Sequence, residues 1–117
     1  MYDGGNANLL AFIGHDGLMD FSINEKYKGV NDKKRDAVIL ACISKKYFSA
    51  HVKATGANPI LWSNGLMSPE AYTLKAAIDG WIRNETGEQI RTRAASAYHQ
   101  YQKCGIKGAR NLLASGW

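Results

Sequence analysis

An α/β fold built on a small, mainly parallel sheet is what this sequence predicts, and three observations carry the prediction. Three short apolar runs, Leu9 to Ile13, Ala37 to Ala41 and Pro59 to Trp62, are continuous rather than alternating, as in strands covered on both faces. Each run gives way to small or polar residues, at Gly14-His15-Asp16-Gly17, at Cys42 and Ser44, and at Ser63-Asn64-Gly65. Helical patterns follow the second and third runs. Strand, polar turn and helix in that succession are what parallel pairing with crossover connections produces.

Residues 1–8 hold Gly4, Gly5, Asn6 and Asn8 and read as a loop entering the first strand. So abrupt an entry leaves the strand uncovered, which predicts N-terminal elements upstream or a partner in their place. Leu18 to Asp36 fits neither the strand nor the helix period. Phe21 and Ile23 suggest a short extended piece, and the basic stretch after Asn31 a short helix or an exposed loop.

From Ser44 a helix carrying Tyr47, Phe48, Ala50 and Val52 is expected to run to Gly56, whose left-handed conformation closes it. The third strand tolerates Pro59 at its first residue. Ser68-Pro69-Glu70 reads as a helix start, with a capping hydroxyl, proline at the first position and an acid near the positive end. Ala71, Leu74, Ile78, Trp81 and Ile82 then form one apolar stripe. Asn84-Glu85 ends that helix. Thr86 opens the next, with Gln89 as capping-box partner and a stripe of Ile90, Ala94, Ala97 and Tyr101, and Cys104-Gly105 ends it. Ile106 to Trp117 is expected to add a last short helix. With no repeat and no linker, the 117 residues read as a single domain.

The composition, 45% hydrophobic and 21% charged, is that of a globular chain rather than a disordered one. No apolar run exceeds the seven residues Ala37 to Ile43, too few to span a bilayer, and Met1 to Gly5 lacks the features of a signal peptide. A cytoplasmic location is therefore expected, with Cys42 and Cys104 reduced. The net charge of +5 is uneven: residues 1–24 hold three acids and no Lys or Arg, residues 25–53 eight bases and three acids. Such a band can meet phosphates, but aromatic residues are not regularly interleaved in it, so nucleic-acid binding ranks last among the readings.

The chemistry gathers at the carboxyl ends of the predicted strands, where open α/β sheets place ligand sites. A nucleophilic cysteine needs a base, a cation or a helix amino end beside it. Cys42 has candidates for all three in His15, in Lys45 and Lys46, and in the helix after it. The plain alternative is a small buried cysteine and a turn histidine. Gly14 to Gly17 lacks the spacing of a phosphate-binding loop, and no arginine follows Cys42 at the spacing of a phosphatase loop. His15, Asp16, Cys42 and His51 have no recognised ligand spacing, so neither metal nor cofactor is expected.

Phe12-Ile13-Gly14-His15-Asp16-Gly17 and Val38-Ile39-Leu40-Ala41-Cys42-Ile43-Ser44 together resemble the catalytic strand ends of the caspase-like cysteine peptidases. The resemblance covers about residues 9–65. It implies a three-layer α/β fold, His15 as general base or acid, Cys42 as nucleophile, and the amides of Gly17 and Cys42 as oxyanion donors. Asp16, Ser44, Ser63 and Asn64 are the candidate substrate-binding residues, and Asp16 and Asp20 are also placed to orient His15. The expected function is peptide-bond cleavage on a peptide or protein substrate. A non-catalytic caspase-like interaction domain and a basic nucleic-acid accessory protein are the alternatives. Three strands leave exposed edges, which predicts a homo-oligomer or a partner chain completing the sheet.

Overall fold

Why the apolar runs pair as they do follows from their lengths and from the helix between the last two. In a computed structural model, which describes residues 7–25, 28 and 34–117, β1 (Leu9–Ile13), β2 (Asp36–Leu40) and β3 (Asn58–Ser63) pair in parallel in that order. The fourth strand, β4 (Leu113–Ala114), runs antiparallel to β3. Helix α1 (Ser44–Thr55) makes the β2-to-β3 crossover, and α2 (Ala71–Ile82), α3 (Gly87–Gln102) and α4 (Ile106–Leu112) follow β3.

The β2–β3 register slips between Ala37 and Val38, so that Ala37 faces Pro59 but Val38 faces Leu61. Proline has no N–H to give to a ladder and is tolerated where the ladder is interrupted. The slip also lets the consecutive residues Ile60 and Leu61 join one core cluster.

Alternation along the strands splits the core in two. Val38, Leu40, Ile60 and Leu61 pack with Ala77, Ile90, Ala94, Ala95, Tyr98 and Ala109 of α2, α3 and α4. Ile39 and Trp62 pack with Val52 of α1, flanked by Phe12 and Phe48. The result is the three-layer α/β arrangement, α1 on one face and α2 with α3 on the other. Trp62 is fully buried, and its indole N–H donates to the Gly116 carbonyl at 2.9 Å, so this ring is buried without an orphaned donor.

The helices depart from their expected patterns for packing reasons. Helix α2 begins at Ala71 with Glu70 as cap rather than at Pro69, and the turn before it is tied to α3 by Ser68 N–H donating to Tyr98 Oη at 3.0 Å. Its innermost residues are Thr73, Ala77 and Gly80, while Ala71 and Ile82 of the expected stripe are exposed. Small residues let α2 and α3 approach: a Cβ at Gly80 would lie 3.0 Å from Ile90 Cγ1. On α3, Tyr98 is buried and Tyr101 exposed, and the Thr86–Gln89 capping box is present on both sides.

The tail is a helix only to Leu112. Arg91 donates from Nε to the Leu113 carbonyl at 2.7 Å and to that of Arg110 at 3.0 Å, capping the end of α4 where the chain turns into β4. Phe21 to Glu25 are exposed and irregular rather than a strand. The expected loop at residues 1–8 and the basic stretch after Asn31 lie largely outside the described residues. Among the described residues, no helix is long and apolar enough to cross a membrane.

Candidate functional site

The last residues of β1 and β2 are paired partners, Ile13 with Leu40, and Gly14 N–H donates to the Leu40 carbonyl at 3.1 Å. His15 and Cys42 therefore each stand two residues past a matched pair on neighbouring parallel strands. Gly14 turns the chain there at φ +155°, which a side chain would rarely permit.

Past Gly14 a single 3₁₀ turn forms over Gly17 to Met19, and Asp16 caps it. Asp16 Oδ1 accepts from Leu18 N–H at 3.0 Å, Met19 N–H donates to the Asp16 carbonyl at 3.1 Å, and Asp20 N–H donates to that of Gly17 at 3.0 Å. This turn carries the chain back so that Asp20 Oδ2 lies 2.6 Å from His15 Nε2. Both partners are exposed, with 72% and 67% of their side-chain surfaces open to solvent.

Asp16 is instead fully buried, and its Oδ2 has no hydrogen-bond partner. Desolvation raises its pKa above the ordinary aspartate value, with the Leu18 amide and the His15 charge pulling less strongly the other way. Asp16 is thus a structural cap facing the interior, not an exposed turn carboxylate.

Cys42 is half-buried between β2 and α1. Its Sγ donates to the Met67 carbonyl and receives the Met67 N–H, both at 3.4 Å. No hydrogen bond joins it to His15. Ile43 follows at φ 51° and ψ 36°, a left-handed conformation that is costly for a β-branched residue. What holds it is the bond from Ile43 N–H to the Gly65 carbonyl, 2.9 Å, and the seat of Ser44 beneath it. Helix α1 starts at Ser44, so its positive end adjoins the cysteine turn.

Ser44 and Ser63 are fully buried. Ser44 Oγ donates to the Ile39 carbonyl at 2.8 Å and Ser63 Oγ donates to that of Ala41. Asn64 is exposed, but its backbone N–H reaches the Leu112 carbonyl at 2.7 Å and its Nδ2 the Asn111 carbonyl at 3.1 Å, at the end of α4. The structure thus sets His15 and Cys42 just past the paired ends of β1 and β2, with Gly17 and Asp20 in the turn that follows His15. It places the oxygens of Asp16, Ser44 and Ser63 inside the protein, and ties Asn64 to α4.

Gly17 opens the 3₁₀ turn, where amides have no partner within the turn. Met67 belongs to the Trp62–Met67 segment that the sequence places at this sheet edge as a pocket lining or a plain turn, and it meets the thiol through its backbone, which no side-chain pattern announces. Among the described residues no group of three or more His, Cys, Asp or Glu is placed to hold a metal ion. No family model, curated protein or solved structure matches the chain.

Proposed function

We propose that this sheet edge is a cysteine-peptidase-type site, with Cys42 as nucleophile and His15 as proton carrier, acting on a peptide or protein. The observation that supports the reading most is the placement of His15 and Cys42 at matched positions beyond paired residues of adjacent parallel strands. Neighbouring strands lie about 4.8 Å apart, so side chains leaving matched ends can share one substrate.

In this reading His15 takes the thiol proton of Cys42 and the sulfur adds to the scissile carbonyl carbon. The oxyanion is received by the amides of Gly17 and Cys42. Its collapse breaks the C–N bond as the imidazolium returns the proton to the leaving amine, and water then hydrolyses the thioester. The Met67 N–H and carbonyl, each 3.4 Å from the sulfur, hold the thiol in place at this sheet edge.

Alkylation by iodoacetamide, followed by peptide mass, tests this with the exposed Cys104 as internal reference. His15→Ala is expected to slow Cys42 about tenfold or more and leave Cys104 unchanged. Equal rates for Cys42 in both proteins would sink the catalytic reading.

The second reading is a non-catalytic interaction domain, favoured by one specific feature. Among the described residues β1 is one of the two edge strands, and Leu9, Leu10, Phe12 and Ile13 on it are only half-buried. An open apolar edge of this kind pairs with another strand, from a second copy or a partner chain. Sedimentation over a wide concentration range is expected to show a mass above 12.9 kDa for a self-pairing chain. A constant monomer mass argues against the second copy.

A further inference from the structure

His15 Nε2 lies 2.6 Å from Asp20 Oδ2, which leaves Nδ1 as the ring nitrogen not engaged by this carboxylate. We propose that Asp20 is the positioning residue of His15: it holds the ring with the proton on Nε2, leaves Nδ1 as the working base, and is delivered by the Asp16-capped turn. The inference rests on the peptidase-type reading for its consequence on Cys42, but its geometric part stands by itself.

Two observations argue for positioning rather than stability. An ion pair this exposed contributes little to folding, and so gives the fold small use for it. The turn, by contrast, is heavily determined. Asp16 is fully buried, spends one carboxylate oxygen on Leu18 N–H and leaves the other without a partner. A buried carboxylate with an orphaned oxygen is costly to keep. What it produces is a turn of one length, whose last residue is Asp20, five positions after His15 and 2.6 Å from its ring. Asp16 stands between His15 and Gly17, and it is the residue that caps the turn returning Asp20.

A neutral imidazole in water exchanges between two tautomers, and an acceptor at Nε2 selects the one with Nδ1 unprotonated. Nitrogen-15 spectra of the histidine-labelled full chain read this directly, with His15→Gln assigning the signal among the three histidines. In the native protein, neutral His15 is expected to show a pyridine-type Nδ1 and a protonated Nε2. Asp20→Leu is expected to move both signals toward the averaged values of free imidazole and to slow iodoacetamide at Cys42 about ten- to a hundredfold, as ring misplacement does. Asp20→Asn keeps an acceptor oxygen and is expected to restore most of both. Asp16→Ala is expected to act like Asp20→Leu although it leaves the pair itself intact, whereas Asp16→Asn, which retains the cap, is not. Circular dichroism of each variant separates these effects from loss of fold.

Unchanged His15 signals in folded Asp20→Leu would overturn the proposal. So would an unchanged alkylation rate in that variant if His15→Gln slows Cys42. If His15→Gln leaves Cys42 unaffected, the peptidase-type reading fails instead, and the nitrogen signals alone decide whether Asp20 holds the ring.

Discussion

The backbone amide of Ser63 donates to the Ser44 hydroxyl at 2.9 Å, and the amide of Ser44 donates to the Ser63 hydroxyl at 3.2 Å. Both residues are fully buried, so no water stands in for either bond. This reciprocal pair locks the end of β3 to the start of α1 and holds the turn that carries Cys42 and the left-handed Ile43.

Ser63→Ala leaves the Ser44 amide and the Ala41 carbonyl without their partner. A loss of about 2–3 kcal/mol is expected, measured as a lower urea midpoint at unchanged slope. Ser44→Ala should cost a similar amount, and the double variant less than the sum, because the two serines share their bonds. Strict additivity would show that the pair does not act as a unit.

Asp16 makes stability depend on pH in an unusual direction for an acid. Its folded pKa is raised by burial above the ordinary aspartate value of about 3.8, so the native state holds the proton more tightly than the unfolded chain. The stabilisation from the protonated form is full below about 3.8 and is lost as pH rises through the folded value. Asp79 and Glu85 work the opposite way. Hydrogen bonds from Lys75 and Arg93 lower their pKa values, and their contribution is lost as pH falls. Both are common to the native protein and Asp16→Asn. The stability difference between those two proteins is therefore expected to move in favour of Asp16→Asn as pH climbs from 4 through the weakly acid range. Denaturation series at several pH values check this, and a flat difference counts against it.

Gly80→Ala replaces a poor helix former by the best one, yet is expected to destabilise. Its Cβ would lie 2.6 Å from Glu85 Oε1 and 3.0 Å from Ile90 Cγ1. Glu85 cannot yield freely, since Arg93 holds it at 2.9 Å and 2.6 Å through Nε and Nη2. Overpacking of about 1–3 kcal/mol outweighs a propensity gain of about 1 kcal/mol. A raised melting temperature in this variant would show that α2 and α3 can separate without penalty.

Much of the fold was legible because it is written in local chemistry. Continuous apolar runs announced β1, β2 and β3, and the Thr86–Gln89 capping box and Gly56 marked the bounds of α3 and α1. The inward face of α2 was legible only in part: Leu74 and Trp81 of the apolar stripe pack against the core, but an apolar stripe reports hydrophobicity whereas close approach to α3 selects the small Ala77 and Gly80. Nor was β4, since Leu113 and Ala114 become a strand only by meeting Trp62 and Ser63.

The site divides in the same way. By itself the sequence determined that His15 and Cys42 end apolar strands, because a run of buried residues broken by glycine and polar groups has few other meanings. Only the tertiary structure decided that those ends are in register, that Asp20 rather than Asp16 meets the imidazole, and that the thiol rests on the Met67 backbone. Pairing across strands and the return of a turn depend on backbone hydrogen bonds, which every residue type can make. They leave no mark on the order of side chains.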